Sequence, residues 1–186
     1  MSASGGDKKR SPHIGTYSGP FIDFNGVGKW SVAAMRQRYL KYAADFGIKS
    51  PAHLVPRQHA EDGRTWLYPL IEEVIGRIEA GDAAAIEIGT EFIEEDDFFV
   101  FGKILKSNTA RALRRAMLTD AQQQRVRRRI VSMMLAGNVP HEFREYKRLL
   151  LKVGVGELWA ELDAGVDRSN AYVMRYYDYL KRFAPG

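Results

Sequence analysis

Nine basic residues recur with the same local spacing in three consecutive segments of the chain. In each segment one basic residue is followed, three and four positions later, by two more. Such positions share one face of a helix, so each segment predicts a basic stripe. The nine residues are Arg111, Arg114, Arg115, Arg125, Arg128, Arg129, Arg144, Lys147 and Arg148. Because a guanidinium or ammonium group binds phosphate oxygens, the stripes are candidates for binding nucleic acid or another polyanion.

The charges of the chain are divided between two neighbouring regions. Residues 61–100 contain twelve acidic and two basic residues, a net charge of −10, and residues 101–152 contain thirteen basic and three acidic residues, a net charge of +10. The acidic half can therefore neutralise the basic half, within one chain or head-to-tail between copies. This pattern favours a non-catalytic helical scaffold or protein-interaction module that can self-associate through charge-complementary faces, with nucleic-acid binding as the alternative.

The charge pattern also indicates which binding partners are expected. Another protein or a second copy of the chain is the favoured partner, and nucleic acid is the second choice. A membrane surface is not expected, because no predicted helix combines a basic face with the large aromatic surface that interfacial helices carry.

The four histidines are the first candidates for catalysis. His53 and His59 flank a proline-rich stretch, and Glu61 and Asp62 follow closely, so the loop at residues 53–62 has groups for metal binding or acid–base chemistry. A hydrolytic or metal-dependent enzyme is therefore a third hypothesis. The spacing of the two histidines matches no helical zinc motif, and a polar surface loop is the favoured interpretation. No catalytic residue, metal site or cofactor is assigned.

Two further patterns resemble functional motifs only in part. Glu87, Glu91 and Glu94 or Glu95 share one face of a predicted helix, but the Glu-x-x-His spacing of carboxylate-bridged metal sites is absent, so an exposed acidic stripe is predicted. The sequence Asn25–Ser31 is rich in glycine but lacks the residues that a phosphate-binding loop requires. Its glycines, Gly26 and Gly28, are predicted to form turns.

The last predicted helix is aromatic. One face of this helix carries Tyr172, Val173, Tyr176, Leu180 and Phe183, and packing against the core or a partner is the favoured interpretation. Stacking on nucleic-acid bases is the alternative. Two more tyrosines, Tyr177 and Tyr179, lie outside this face and are the candidates for solvent exposure.

The composition excludes several classes of protein. The 186 residues include no cysteine, which rules out disulfides, thiolate catalysis and cysteine-ligated zinc. An apolar fraction of 45% and a charged fraction of 27% are typical of globular domains. No apolar run approaches the roughly 20 residues of a membrane span. The polar N-terminus lacks the apolar segment of a secretory signal, so a cytoplasmic location is predicted.

The periodicity of apolar residues predicts an all-α fold. Helical segments are expected at about 29–46, 69–80, 83–95, 98–106, 108–117, 120–136, 140–153, 157–164 and 169–183. The predicted caps are Asp82, Asp96 or Asp97, Ser107 or Asn108, and a capping box of Thr119 with Gln122. Short connections favour a bundle or a short stacked array of about eight antiparallel helices.

The remaining segments complete the predicted domain organisation. Residues 1–20 are predicted to be a flexible, disordered tail, and residues 21–186 a single helical domain with an acidic half, 61–100, and a basic half, 101–152. Residues 19–24 alternate apolar and polar side chains, which indicates a short extended arm without an obvious partner strand. Residues 47–64 are expected to form a loop.

Three short sequences also resemble a known group of proteins. The stretch from Gly89–Ile93 through Leu113–Arg115 to Arg144–Leu149 resembles bacterial all-helical proteins of unknown function. The resemblance covers about a third of the chain and implies an all-helical fold. It implies no activity, so no functional residue is transferred from it.

Overall fold

The computed structural model describes residues 17–18, 20–95 and 100–183, and most of these are helical, as predicted. The helices of the described ranges are α1 (Val32–Asp45), α2 (Ile71–Glu79), α3 (Ala83–Glu94), α4 (Gly102–Arg115), α5 (Asp120–Leu135), α6 (Phe143–Val153), α7 (Trp159–Gly165) and α8 (Ala171–Lys181). Two 3-10 turns, Gly28–Trp30 and Gly156–Leu158, precede α1 and α7. None of the described helices is both long and apolar enough to cross a membrane.

A small sheet accompanies the helices, so the all-α prediction is wrong in this respect. Its strands are β1 (Tyr17–Ser18), β2 (Phe21–Asp23), β3 (Gln58–Glu61) and β4 (Arg64–Leu67), in the order β1-β2-β4-β3. β2 lies parallel to β4, while β1 and β3 lie antiparallel to their neighbours. The extended arm therefore has a partner strand, because distant parts of the chain pair. Two residues predicted for the tail form β1, and residues 1–16 and 19 lie outside the described residues.

The hairpin of β3 and β4 replaces part of the predicted loop at residues 47–64. Its turn is Asp62-Gly63, and both residues have positive φ angles, of 48° and 72°. Aspartate followed by glycine is the typical sequence of a two-residue hairpin turn, because this turn needs a left-handed backbone at both positions. The turn signal was thus present in the sequence, but the flanking strands have only four residues each.

Two predicted helix caps are confirmed. The Asp82 side chain accepts hydrogen bonds of 2.9 and 3.1 Å from the backbone N–H groups of Ala84 and Ala85 at the start of α3. Thr119 and Gln122 form the reciprocal capping box at the start of α5. These caps satisfy backbone donors that would otherwise have no partner within the helix.

One helix replaces the two short segments predicted between residues 98 and 117. α4 runs without a break from Gly102 to Arg115, so Ser107 and Asn108 lie inside it and cap nothing. Tertiary packing outweighs the local capping preference of these polar residues, because α4 buries Leu105 and Leu113 against the core. The alternative caps, residues 96 and 97, lie outside the described residues.

α3 is the central helix of the fold. It packs against α1, α2, α4 and α5, and eight of its twelve residues are buried. Gly89 allows α2 to approach closely, because a Cβ at this position would lie 2.5 Å from Ile78 Cδ1 and 3.4 Å from Thr109 Cγ2. The packing of α2 and α4 on α3 therefore depends on the absence of a side chain at Gly89.

We predict that Gly89→Ala destabilises the protein by about 1–3 kcal/mol, because the added methyl group overpacks a tight helix contact. Urea unfolding followed by circular dichroism measures the change. Gly76→Ala is the matched control, since Gly76 lies within α2 and its Cβ would meet open space. This control should be neutral or stabilising by up to about 1 kcal/mol. Equal changes in the free energy of unfolding of the two variants would contradict the close contact at Gly89.

Candidate functional site

Two carboxylates of α3 face α5. The Arg125 guanidinium forms ion pairs with both Glu87 and Glu94. Its Nε donates hydrogen bonds of 2.9 and 3.0 Å to the two oxygens of Glu94, and Gln122 Nε2 donates one of 2.8 Å to Glu87. Hydrogen bonding to Glu94 is the main cause of a raised pKa of Arg125, and partial burial acts against it. Arg125 thus joins two acidic side chains of one helix to α5.

Glu91 of α3 and Glu95, which directly follows α3, face α1 and the turn before it. Glu91 pairs with Arg38 and accepts a hydrogen bond from the Tyr42 hydroxyl. Trp30 Nε1 donates a hydrogen bond of 2.8 Å to Glu95. Burial, and then the hydrogen bond to Glu91, raise the pKa of Tyr42 to about 12, so its hydroxyl remains a donor at neutral pH.

The prediction of an exposed acidic stripe on this helix is therefore wrong. The side chains of Glu87 and Glu91 are only 14% and 12% exposed. Helix periodicity placed the carboxylates on one side of α3, but it did not reveal that α1 and α5 flank that side and supply cations to it.

Several cations of the predicted basic stripes also have acidic neighbours within the chain. Arg115 on α4 lies 3.2 Å from Glu79 on α2. On α6, Glu145 is buried and lies 2.7 Å from Arg148 and 3.9 Å from Arg111 of α4. Together with Arg125, four of the nine predicted residues thus contact carboxylates.

The three stripes do not form one open basic face. The stripe on α4 contacts α2 and α6, and the stripe on α5 contacts α3 through Arg125. Of the other residues in these two stripes, Arg128 is exposed, whereas Arg114 and Arg129 are half-buried. The basic stripes of the helices thus face different neighbouring helices. The spacing of the basic residues along the chain does not indicate which neighbour each stripe faces.

Arg144 and Lys147, the remaining residues of the α6 stripe, line a groove that α6 forms with α8. The groove has a volume of about 510 Å³. Its lining residues are Arg144, Lys147, Arg175, Tyr176, Asp178, Tyr179 and Arg182. Four cations and one carboxylate therefore line the groove. Among the described residues none of these four cations forms an ion pair, in contrast to Arg125.

Lys147 is the half-buried cation of this basic groove. Its Nζ is 3.6 Å from the centroid of the Tyr179 ring, which places the ammonium over an aromatic face. Burial is the main cause of a lowered pKa of Lys147, and the charges of Arg148, Arg144 and Arg175 lower it further. A bound anion would relieve this repulsion among like charges.

Two cations of the basic groove, Arg175 and Arg182, were not among the predicted residues. They are seven positions apart, so they lie on one face of α8 and the turn that ends it. The sequence contains this spacing, but this helix does not repeat the stripe pattern and its tyrosines are its more prominent feature.

The predicted apolar face of α8, the aromatic helix, is only partly buried. Val173 and Leu180 are buried, but Tyr172 is 77% exposed and Phe183 61% exposed. Tyr177, predicted to lie off the apolar face, is buried and stacks on Trp159 at 5.8 Å between ring centroids. A hydrogen bond to Asp163 satisfies the buried Tyr177 hydroxyl. Of the four tyrosines of α8, Tyr177 is the buried one, and Asp163 is its polar partner.

The histidines of residues 53–62 remain apart from this groove. His59 lies on the exposed strand β3, with its ring against Trp66 and its Nε2 at 3.3 Å from Glu61 Oε2. His53 is exposed in the segment before the strand. In the described ranges no group of three or more His, Asp and Glu side chains has the arrangement of a metal site.

The glycine-rich segment Asn25–Ser31 has a structural role. Asn25 Oδ1 accepts a hydrogen bond of 2.7 Å from the backbone N–H of Leu70, and Gly28 has a positive φ of 56° at the start of a 3-10 turn. The prediction that Gly28 forms a turn is therefore confirmed. This turn buries Trp30 against Phe92 of α3, with 5.0 Å between the ring centroids.

Comparisons of the chain with models of protein families, with curated proteins and with solved structures give no match. The function is therefore inferred from the geometry of the described residues.

We predict that Arg125→Ala destabilises the protein by about 2–4 kcal/mol, since it leaves two partly buried carboxylates without their shared cation. Thermal and urea unfolding measure the loss. Arg128→Ala is the matched control, because Arg128 lies on the same helix and is exposed. Its free energy of unfolding should change by less than about 0.5 kcal/mol. Similar effects of the two variants would refute the role assigned to Arg125.

Proposed function

We propose that the chain is a non-catalytic helical module that binds a phosphate-bearing polymer, nucleic acid in the first instance, through the basic groove between α6 and α8. The observation that carries this proposal is the grouping of Arg144, Lys147, Arg175 and Arg182 around one groove without ion pairs among the described residues. Cations held close together without carboxylate partners favour an anionic ligand with several charges.

The internal ion pairs weaken the support for self-association through charge-complementary faces. That hypothesis relied on the acidic charges of residues 61–100 and the basic charges of residues 101–152 being available to a second copy. Glu87, Glu91 and Glu94 are instead engaged by Arg38 and Arg125 of the same chain. The basic groove instead has four cations without an ion pair among the described residues, and these are available to an anionic partner.

The groove has the donors that phosphate binding needs. Arg144, Arg175 and Arg182 are exposed, so their guanidinium groups can each offer paired N–H donors to phosphate oxygens. Lys147, which is half-buried, supplies a further positive charge. Contacts of this kind recognise the nucleic-acid backbone and carry no base sequence information by themselves.

The proposal predicts salt-dependent binding of a fluorescein-labelled oligonucleotide, measured by fluorescence anisotropy. A single strand that contacts all four cations should give a slope of about −3 for log affinity against log salt concentration, because each neutralised phosphate contributes roughly 0.7. The triple variant Arg144→Gln, Arg175→Gln, Arg182→Gln should reduce the slope to about −1.

A triple variant with the same loss of charge is the control. Lys49→Gln, Arg64→Gln and Lys103→Gln remove three exposed cations that do not line the basic groove. This variant should keep nearly the full slope. Failure of the wild type to bind any oligonucleotide at low salt, or equal losses in the two triple variants, would exclude the proposed groove.

The lowered pKa of Lys147 predicts a pH dependence of anion binding. The charge of this lysine is lost at a lower pH than that of an ordinary lysine, whose pKa is about 10.4. Affinity for inorganic polyphosphate, measured by calorimetry, should therefore begin to fall at a lower pH than the loss of charge of an ordinary lysine would produce. Lys147→Arg should remain charged and bind with little pH dependence. An identical alkaline decline in both proteins would show that Lys147 is not involved.

A further inference from the structure

The outward face of α8 alternates aromatic and basic side chains. The residues at spacings of three and four are Tyr172, Arg175, Tyr176, Tyr179, Arg182 and Phe183. Within α8 such residues share one side of the helix, and Arg182 and Phe183 follow in the turn that ends it. Arg175, Tyr176, Tyr179 and Arg182 line the basic groove.

The rings on this surface have two different environments. Tyr176 packs edge-to-face on Phe143, with 4.8 Å between ring centroids, and Tyr179 lies beneath Lys147. These two rings form part of the floor of the groove. Tyr172 and Phe183 are 77% and 61% exposed and do not themselves line the groove. Tyr172 precedes the groove residue Arg175 by three positions, and the Phe183 ring lies 5.3 Å from the ring of the groove residue Tyr179, so each exposed ring adjoins the groove-lining residues.

Phe183 lines a second, apolar cleft. Its volume is about 260 Å³. The lining residues are Leu150, Leu151, Gly154, Val155, Gly156, Trp159, Leu180 and Phe183. This lining provides no charged side chain, so the cleft cannot bind phosphate. It is suited to the flat, weakly hydrated face of an aromatic ring that stacks on Phe183.

We infer that the polymer bound in the basic groove is single-stranded nucleic acid, whose bases stack on Tyr172 and Phe183 while its phosphates contact the cations of the groove. This inference rests on the proposed function, and it adds the strandedness of the ligand. Duplex bases are paired and stacked on one another, so they cannot cover the two rings, whereas unpaired bases can. A duplex or inorganic polyphosphate would engage the cations alone.

The test compares a labelled single-stranded oligonucleotide with a duplex of the same length and sequence, at one salt concentration. Single-strand affinity should exceed duplex affinity. The double variant Tyr172→Ala, Phe183→Ala should lose about 5- to 150-fold in single-strand affinity per ring, the usual effect of removing a stacking side chain. Its affinity for the duplex and for inorganic polyphosphate should stay as in the wild type.

Three further variants separate stacking from simple apolar contact. Phe183→Tyr retains an aromatic ring and should bind the single strand as the wild type does, whereas Phe183→Leu should bind as weakly as Phe183→Ala. Phe46→Ala is the matched control, because it removes a ring that is 43% exposed and follows α1, on an element that does not line the groove. This control should leave every affinity unchanged.

The failures of the two proposals are distinguishable. Equal binding of duplex and single strand, with losses in the arginine variants but none in the ring variants, would overturn the inference and leave the proposed function intact. Absence of salt-dependent binding to every probe would overturn both. Selective single-strand binding that the ring variants reduce supports both.

Discussion

The neutralisation of the carboxylates of α3 is the interaction on which the rest of the structure depends. α3 packs against four other helices, and carboxylates at its margins would be costly to leave unpaired in such surroundings. Arg38 on one side and Arg125 on the other meet this requirement. Because both cations come from flanking helices, the ion pairs also set how α1 and α5 are rotated and placed against α3. Electrostatics and apolar packing thus require the same arrangement.

Ion pairing at α3 and elsewhere in the chain separates the basic residues into two groups. Arg111, Arg115, Arg125 and Arg148 are held by carboxylates and contribute to the cohesion of the fold. The cations of the basic groove lie on α6 and α8, beyond the reach of α3. These four cations line one groove and lie close to one another, which favours an anionic ligand there.

Local signals were predictable from the sequence, whereas pairings between distant segments were not. Asp82 and Thr119 act as caps within a few residues of their partners, so their roles could be recognised. The pairing of β2 with β4 joins segments far apart in the chain, and no short pattern indicates it. The basic stripes were correctly placed on helices, but the rotation of each helix decides whether a cation meets a carboxylate, as at Arg125, or a groove, as at Arg144. That rotation is set by packing, which the spacing of residues does not reveal.

The way in which α8 is held has a consequence for the dynamics of the groove. α8 contacts α6 and buries Val173, Tyr177 and Leu180, but it takes no part in the ion pairs around α3. Helices with less buried surface open at a lower free energy than the centre of a fold. The amide hydrogens of α8 should therefore exchange with solvent faster than those of α3. α8 lines the basic groove, so the groove can open by local unfolding of α8 while α1 to α5 stay folded. A ligand bound in the groove stabilises the folded α8 and should therefore slow the exchange of its amide hydrogens.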